Sequence, residues 1–292
     1  MAIFSNSYPK NFDLVGFFKL VRFNNLLILV FTFYMIKIFL VDYQVNIWAN
    51  LVNPHLFLLS FSTVCIAAAG YMINDYYDVK IDTINKPNRV IVGRVIKRRV
   101  VMAANLFLNF LGFLIALYLS KKVFLITLGA GFLLWWYSNY LKRLPLVGNI
   151  TIAFLTSLAV ILLSVYYRQN ELMIYIFAIF AFFISLIREI VKDMEDVKGD
   201  ANFGCKTLPI VWGIPRTKQV IYVFFFIFAI ILLSTYLTFP HQFALYLYGV
   251  VIPPLVWFFI RLNRADRRKD FAFLSALCKI IMLLGVLSMV LV

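Results

Sequence analysis

The chain has 292 residues, of which 63% are hydrophobic, 18% aromatic and only 14% charged. Soluble domains carry about 25% charged residues, so the composition excludes an ordinary soluble fold and indicates an integral membrane protein. The net charge of +15 would suggest nucleic acid in a soluble protein. With no soluble domain to bind it, cytoplasmic basic loops and anionic membrane lipids account for the charge, and nucleic acid is excluded.

The first twenty residues are mixed polar and aromatic, without a basic region leading into an apolar core and a small-residue cleavage site, so no cleavable signal peptide is expected. Beyond them, apolar runs broken by charged or Pro/Gly segments predict nine membrane spans, at roughly 16–41, 56–81, 98–119, 122–141, 147–167, 172–193, 218–238, 243–261 and 271–291. The expectation is an all-α, polytopic membrane protein, a single domain over 1–292. Breaks after the odd-numbered spans hold few cations. Those after the even-numbered spans hold most of the lysines and arginines, which places the N-terminus and the basic loops in the cytoplasm. Lys37 is expected to snorkel at the outer end of the first span, and Arg267 and Arg268 to meet lipid headgroups. Lys279 lies about 12 Å inside the last span by helix rise. His55 and His241 fall in short polar breaks and read as interface residues, which excludes haem on a paired-His scaffold. Cys65, Cys205 and Cys278 have no paired spacing.

Eight of the thirteen acidic residues fall in two short stretches, 75–82 and 189–200, at the ends of the second and sixth spans. Both repeat Asp-x-x-Asp-x-x-x-Asp, as Asp75, Asp78, Asp82 and as Asp193, Asp196, Asp200. Steps of three and four residues return to one helix face, so each set makes an acidic stripe. Like charges packed that closely repel unless cations neutralise them, and carboxylate oxygens suit hard cations such as Mg²⁺. Glu195 lies off this face, whereas Arg188 and Lys192 beside it could face the site or the interface. The basic-loop bias puts both stripes at cytoplasmic ends. Carboxylates, metal, and Lys or Arg together can grip a diphosphate, and a chain attached to it can lie among aromatic-rich helices. That arrangement suits ionisation of an allylic diphosphate.

At these residues the chain resembles the UbiA superfamily of intramembrane prenyltransferases, which carry two aspartate-rich motifs on the second and sixth of nine helices. Asn74, Asp75, Asp78 and Asp82 match the first motif, and Asp193, Asp196 and Asp200 match the second. Arg22-x-x-Asn25 resembles the start of the family's first helix, and Asp82-x-x-Asn85-Lys86-Pro87-x-Arg89 with Gly93 resembles the loop after the first motif. The resemblance implies nine helices around a central cavity and Mg²⁺ as cofactor. It implies Asp75, Asp78, Asp193 and Asp196 as the catalytic metal-binding carboxylates, with Asp82 and Asp200 supporting the metal. It implies Asn25, Asn74, Arg89 and Lys142, with Tyr137 or Tyr140, as substrate-binding. Two positions depart from the family. Arg89 is followed by Val90 rather than proline, and four residues rather than three separate Tyr137 from Lys142.

The run from Arg188 to Asp200, followed by Lys206-Thr207-Leu208-Pro209, is similar to geranylgeranylglyceryl-phosphate geranylgeranyltransferases. This implies transfer of an isoprenyl chain from an isoprenyl diphosphate to a lipid acceptor. Prenyltransferases with aromatic acceptors, for quinones or pigments, share parts of that run and are the alternative. A divalent-cation transporter is a further reading, although its carboxylates should lie near the bilayer midplane rather than at one face.

Overall fold

The computed structural model describes residues 13–42, 46–235 and 247–291. Among these the chain is helical apart from turns and one isolated bridge between Val92 and Ile96. Helix α1 (Leu14–Leu20) begins at Asp13, whose carboxylate accepts from the Gly16 N–H at 2.8 Å. Helix α2 (Phe23–Met35) follows and runs on as a π-helical turn, Ile36–Val41. After α3 (Ile47–Leu51), α4 (Pro54–Asn85) starts where the Asn53 side chain accepts from Leu56 N at 3.0 Å, with proline in the first turn, where its missing donor is harmless. Then come α5 (Arg98–Leu119), α6 (Lys121–Asn139), α7 (Val147–Tyr167), α8 (Glu171–Asn202), the short α9 (Leu208–Val211) and α10 (Gly213–Thr235). A π-helical turn, Leu247–Val251, leads into α11 (Ile252–Arg264), and α12 (Arg268–Leu287) closes the series.

Seven described helical segments are long and apolar enough to cross a membrane: Phe23–Val41, Pro54–Asn85, Arg98–Leu119, Val147–Tyr167, Glu171–Asn202, Gly213–Ser234 and Arg268–Leu291. Two of the nine expected spans are not among them. Helix α6 ends on the aromatic and polar run Trp135 to Asn139, and α11 has only 13 residues. The end of the expected span 218–238 and the start of 243–261, with His241, lie outside the described residues. The expected first span, 16–41, is divided. Arg22 has a φ of 52°, in the left-handed region that disfavours a side chain, and turns the chain between α1 and α2.

Helices α4 and α8 have 32 residues each, about 48 Å at 1.5 Å per residue against roughly 30 Å of hydrocarbon. Both run past their expected ends, 81 and 193, and the last three turns of each carry its stripe. α4 packs against α5 and α6, α8 packs against α7 and α12, and α4 also touches α8. Two buried polar groups between α4 and α5 donate to backbone carbonyls of the neighbouring helix: Ser62 Oγ to Gly112 O at 2.8 Å, and Asn105 Nδ2 to Ala69 O at 2.7 Å. The loop between α4 and α5 is ordered, with Val92 and Ile96 buried against Leu20, Val21 and Met72.

Lys37 does not snorkel. Its side chain is 4% exposed, its ammonium lies 2.6 Å from Asp42 and 3.7 Å from the centre of the Tyr167 ring. The π-helical turn that holds it aims it inward, where carboxylate and ring replace the solvent it would otherwise seek. Removing Asp42 should therefore strand a buried charge. Asp42→Ala is expected to lose about 3 kcal/mol of stability, and Lys37→Met added to it should restore much of that loss. Thermal unfolding in detergent checks this, and a double variant less stable than Asp42→Ala would refute the pairing.

Candidate active site

Both stripes lie at C-terminal helix ends, and the two ends meet. The buried Asn85 makes the join: its Nδ2 donates to Asp196 O at 3.0 Å and its Oδ1 accepts from Gly199 N at 2.8 Å. A Cβ on Gly199 would fall 2.4 Å from the Asn85 amide, so only glycine permits this approach. Arg268, expected to meet headgroups, instead donates to the Asn85 carbonyl, filling an acceptor that the end of α4 leaves open. Lys86 then reaches across, its Nζ 2.6 Å from Asp196 Oδ2 and 3.8 Å from Glu195. Glu195, off the stripe face, thus joins the site's edge through this lysine.

Four of the six stripe carboxylates have a partner of their own. Arg22 donates to Asp75 Oδ1 at 2.9 Å while its guanidinium lies 4.8 Å from the centre of the Tyr71 ring. Lys142 pairs with Asp78. It sits on the tight turn Leu141–Arg143, which backs onto the start of α7. Gly148 allows that contact, since a Cβ there would meet Lys142 Cα at 2.8 Å. Asn149 Nδ2 donates to Asp193 Oδ2 at 2.7 Å. Asp200 stands close enough to Asp196 on its own helix and to Asp78 on α4 to feel both charges, and Asp82 likewise feels Asp78, Asp75 and Lys86. The two stripes therefore face one another.

These six aspartates offer only oxygen donors, the set that suits Mg²⁺. Asp196 Oδ1 is buried without a hydrogen-bond partner, an acceptor aimed at nothing the protein supplies. As they stand, no three acidic, His or Cys side chains among the described residues are grouped tightly enough to ligate one ion, because cations and Asn149 hold the carboxylates separately. In donor type, then, the stripes fit the metal. Burial pushes the Cys205 thiol up to about 11, and its soft sulfur is in any case poorly matched to a hard cation.

Beneath the mouth lies a cavity of about 380 Å³ between α2, α4, α6, α7, α8 and α12. Its deep wall is apolar and aromatic, with Phe33, Phe177, Phe180 and Phe228, and its upper wall is polar. Of the expected substrate-binding residues, Asn25, Asn74 and Tyr137 line it. Tyr140 caps α6 with its side chain exposed, so of the two tyrosines only Tyr137 faces the cavity. Lys142 is at the mouth with Asp78. Arg89 is exposed on the turn Pro87–Arg89; its N–H donates to Lys86 O at 2.8 Å, and its side chain is in none of the described ion pairs or hydrogen bonds.

Several contributors were not legible as site residues. Arg188 and Lys192 line the cavity and both pair with the buried Glu189, Lys192 at 3.1 Å. Lys279 lines it from α12 and donates to Asn25 Oδ1 at 3.2 Å. For Asn149 the sequence held no signal. For Lys279 the signal was a lone cation well inside a span.

The sequence profile of the UbiA prenyltransferase family matches residues 27–284. The digeranylgeranylglyceryl phosphate synthase of Pyrococcus horikoshii is 42% identical over 160 residues, 55% of this chain and 57% of that one. The enzyme of the same name from Sulfurisphaera tokodaii is 30% identical over 254 residues, 86% of this chain and 88% of that one. Matches to several such relatives thus span little more than half of their length, while the Sulfurisphaera match is nearly complete. Among solved structures, one reported for digeranylgeranylglyceryl phosphate synthase in membranes superposes with a TM-score of 0.71 at 22% identity, covering 95% of this chain and 97% of that one. A UbiA homologue from Archaeoglobus fulgidus bound to DMAPP and Mg²⁺ gives 0.66 at 19% identity, covering 95% and 100%. At these identities the structural likeness speaks for the fold.

The Asn85 join generates a test of its own. Asn85→Ala removes two hydrogen bonds and is expected to lose about 1–3 kcal/mol. Gly199→Ala should destabilise the same junction by forcing the helix ends apart. Thermal unfolding of both variants in detergent measures this, and wild-type stability in each would mean that something else holds the stripes together.

Proposed function

The chain belongs to the UbiA prenyltransferase family, and from that premise we propose that it moves a geranylgeranyl group from its allylic diphosphate to a hydroxyl of geranylgeranylglyceryl phosphate. The observation that carries this reading is the pair of carboxylate-bearing helix ends joined at Asn85, next to the polar end of an apolar, aromatic-walled cavity lined there by Asn74, Glu189 and Lys192. The relatives named for digeranylgeranylglyceryl phosphate synthesis support the choice of donor and acceptor. The basic-loop bias supports a nine-span arrangement with the N-terminus and the mouth in the cytoplasm.

Asp75, Asp78 and Asp82 on α4, with Asp193, Asp196 and Asp200 on α8, would hold Mg²⁺. Bound there, the metal supplies charge that stabilises the diphosphate as it leaves. The chain's own residues do the rest. Lys142 and Asn74 bind the diphosphate oxygens, and Arg89, uncommitted on its exposed turn, closes over them. Asn149 fixes the rotamer of Asp193 through its 2.7 Å hydrogen bond. Asn85 sets the separation of the stripes. The prenyl chain lies along Phe33, Phe177 and Phe180, and Tyr137 presents its ring where positive charge builds on the allylic carbon. That carbon's bond to the diphosphate oxygen breaks with the electron pair leaving on diphosphate. The acceptor hydroxyl oxygen forms the new ether bond and releases its proton with the leaving group. The apolar wall keeps water from capturing the cation.

Purified protein given geranylgeranyl diphosphate and geranylgeranylglyceryl phosphate should form the diether phosphate, identified by mass spectrometry. Activity should vanish in chelator and return with Mg²⁺; full turnover in chelator would overturn the metal role. Asp75→Asn and Asp193→Asn should lower kcat by at least about a hundredfold while the protein still folds. Lys142→Ala removes a charge-assisted hydrogen bond to the leaving group and should slow turnover about thirty- to a thousand-fold. A product formed only with aromatic acceptors would replace the lipid-acceptor reading.

A further inference from the structure

Along α8 the character of the chain changes in steps. Asp200, Asp196 and Asp193 lie toward the helix end, beyond the residues that line the cavity. Lys192, Glu189 and Arg188 come next, and Ser185, Ile184, Ala181 and Phe180 follow in the apolar wall. The middle step lies about 10 Å below Asp196 by helix rise. Arg22 reaches the same level from the start of α2 and Lys279 from α12, and Lys279 feels the charges of Arg188, Arg22, Lys192 and Glu189. Four cations thus meet two carboxylates: Asp75 is paired with Arg22, and Glu189 with Arg188 and Lys192. Counting these ion pairs alone, two positive charges are left over; Asp193, one residue beyond Lys192, is held by the neutral Asn149, and Lys279 is exposed. The Arg188 Nε–H is buried without an acceptor. Among the described residues, Lys279 has only the neutral Asn25 amide as hydrogen-bond partner.

Such an excess in a low-dielectric wall is costly unless an anion completes it. Its position separates it from the mouth. Lys142 and Asp78 lie on the α4–α6 side, whereas Lys279 and Asn25 lie where α2 meets α12. Lys279 is exposed and also lines the cavity, on the side where α12 meets Asn25 of α2. A ligand entering there would come from the lipid layer with its polar end toward the cations.

We propose that Arg22, Arg188, Lys192 and Lys279 form a second anion site, distinct from the carboxylate mouth, that takes the dianionic phosphate monoester of a single-chain glycerol-ether lipid entering between α2 and α12. It deepens the prenyl-transfer reading by assigning the acceptor's headgroup, and it depends on that reading only for calling the lipid an acceptor. The site gives a reason for a phosphate on the acceptor: the two surplus charges match a dianion and leave a neutral alcohol unrewarded. It also holds the acceptor apart from the donor diphosphate, so that two anionic headgroups need not share one set of cations.

The test is binding to the full chain in detergent with chelator present, which silences the carboxylate mouth. The probes are 1-O-hexadecylglycerol 3-phosphate, its dephosphorylated alcohol and inorganic phosphate. The phosphate lipid should bind at least about thirtyfold more tightly than either of the others, as charge-assisted hydrogen bonds plus chain burial require. Lys279→Met and Arg188→Met should each weaken it about tenfold without changing the alcohol, and Lys279→Arg, which keeps the charge, should stay within about threefold of wild type. Equal binding of lipid phosphate and alcohol, inorganic phosphate binding as tightly as the lipid, or indifference to all these substitutions would overturn the proposal. A non-hydrolysable prenyl diphosphate analogue with Mg²⁺ should bind Lys279→Met within about twofold of wild type. A larger loss there than for the phosphate lipid would make this the donor's site and would also overturn it. Should turnover fail with every acceptor while the phosphate preference persists, the prenyl-transfer reading fails and the anion site stands.

Discussion

Charge inside an apolar solvent must be neutralised where it stands, and the arrangement of this protein follows from that constraint. Two 32-residue helices bring acidic ends together, which like-charge repulsion would forbid if the carboxylates were bare. Arg22 on Asp75, Lys142 on Asp78 and Lys86 on Asp196 remove the repulsion pair by pair. Those three cations come from three different places in the chain: the α1–α2 turn, the α6–α7 turn and the end of α4. Neutralising the stripes therefore also positions the elements around them. The same logic operates where Lys37, Asp42 and Tyr167 meet, far along the chain from the stripes.

Neutral contacts set the spacing that the charges then exploit. Asn85 bonds to two backbone groups of α8 and receives Arg268 on its own carbonyl, so one residue ties α4, α8 and α12 at a single point. Amide hydrogen bonds have a preferred length and direction, whereas ion pairs tolerate slippage. A junction built on Asn85 and the bare backbone of Gly199 thus fixes the distance between stripes more closely than Lys86 could. The ion pairs at the mouth are left adjustable, which suits carboxylates that must change partners when a metal and a diphosphate arrive.

Below the mouth, the order of acidic, cationic and apolar layers along α8 gives the cavity a direction. A donor with a diphosphate head and a long apolar tail fits it with the head at the stripes. The cationic layer then sits beside the chain's reactive end rather than at the head, which makes it suited to a second headgroup. Lys279, exposed and lining the cavity, stands on a side of it away from the stripes.

Composition and spacing by themselves determined the membrane class, the helical architecture, both stripes and their placement at equivalent helix ends. Those features are local, because a three-and-four repeat fixes a helix face and an apolar run fixes a span whatever else the chain does. The loop residues Lys142 and Asn85 to Arg89 entered only through the family resemblance, and of these the structure joins Asn85, Lys86 and Lys142 to the stripes. Tertiary structure alone decided who pairs with whom. Arg188 and Lys192 stood beside the second stripe with no local reason to face inward or outward, and only the packing of α8 against α7 and α12 turned them to the cavity. The choice of Tyr137 over Tyr140 came from where α6 ends, since the capping residue swings its side chain out while the helical one keeps facing inward. Asn149, Gly199 and Lys279 act across more than forty residues of sequence. Pairings at that separation are set by how helices pack, and no single segment of the chain encodes them.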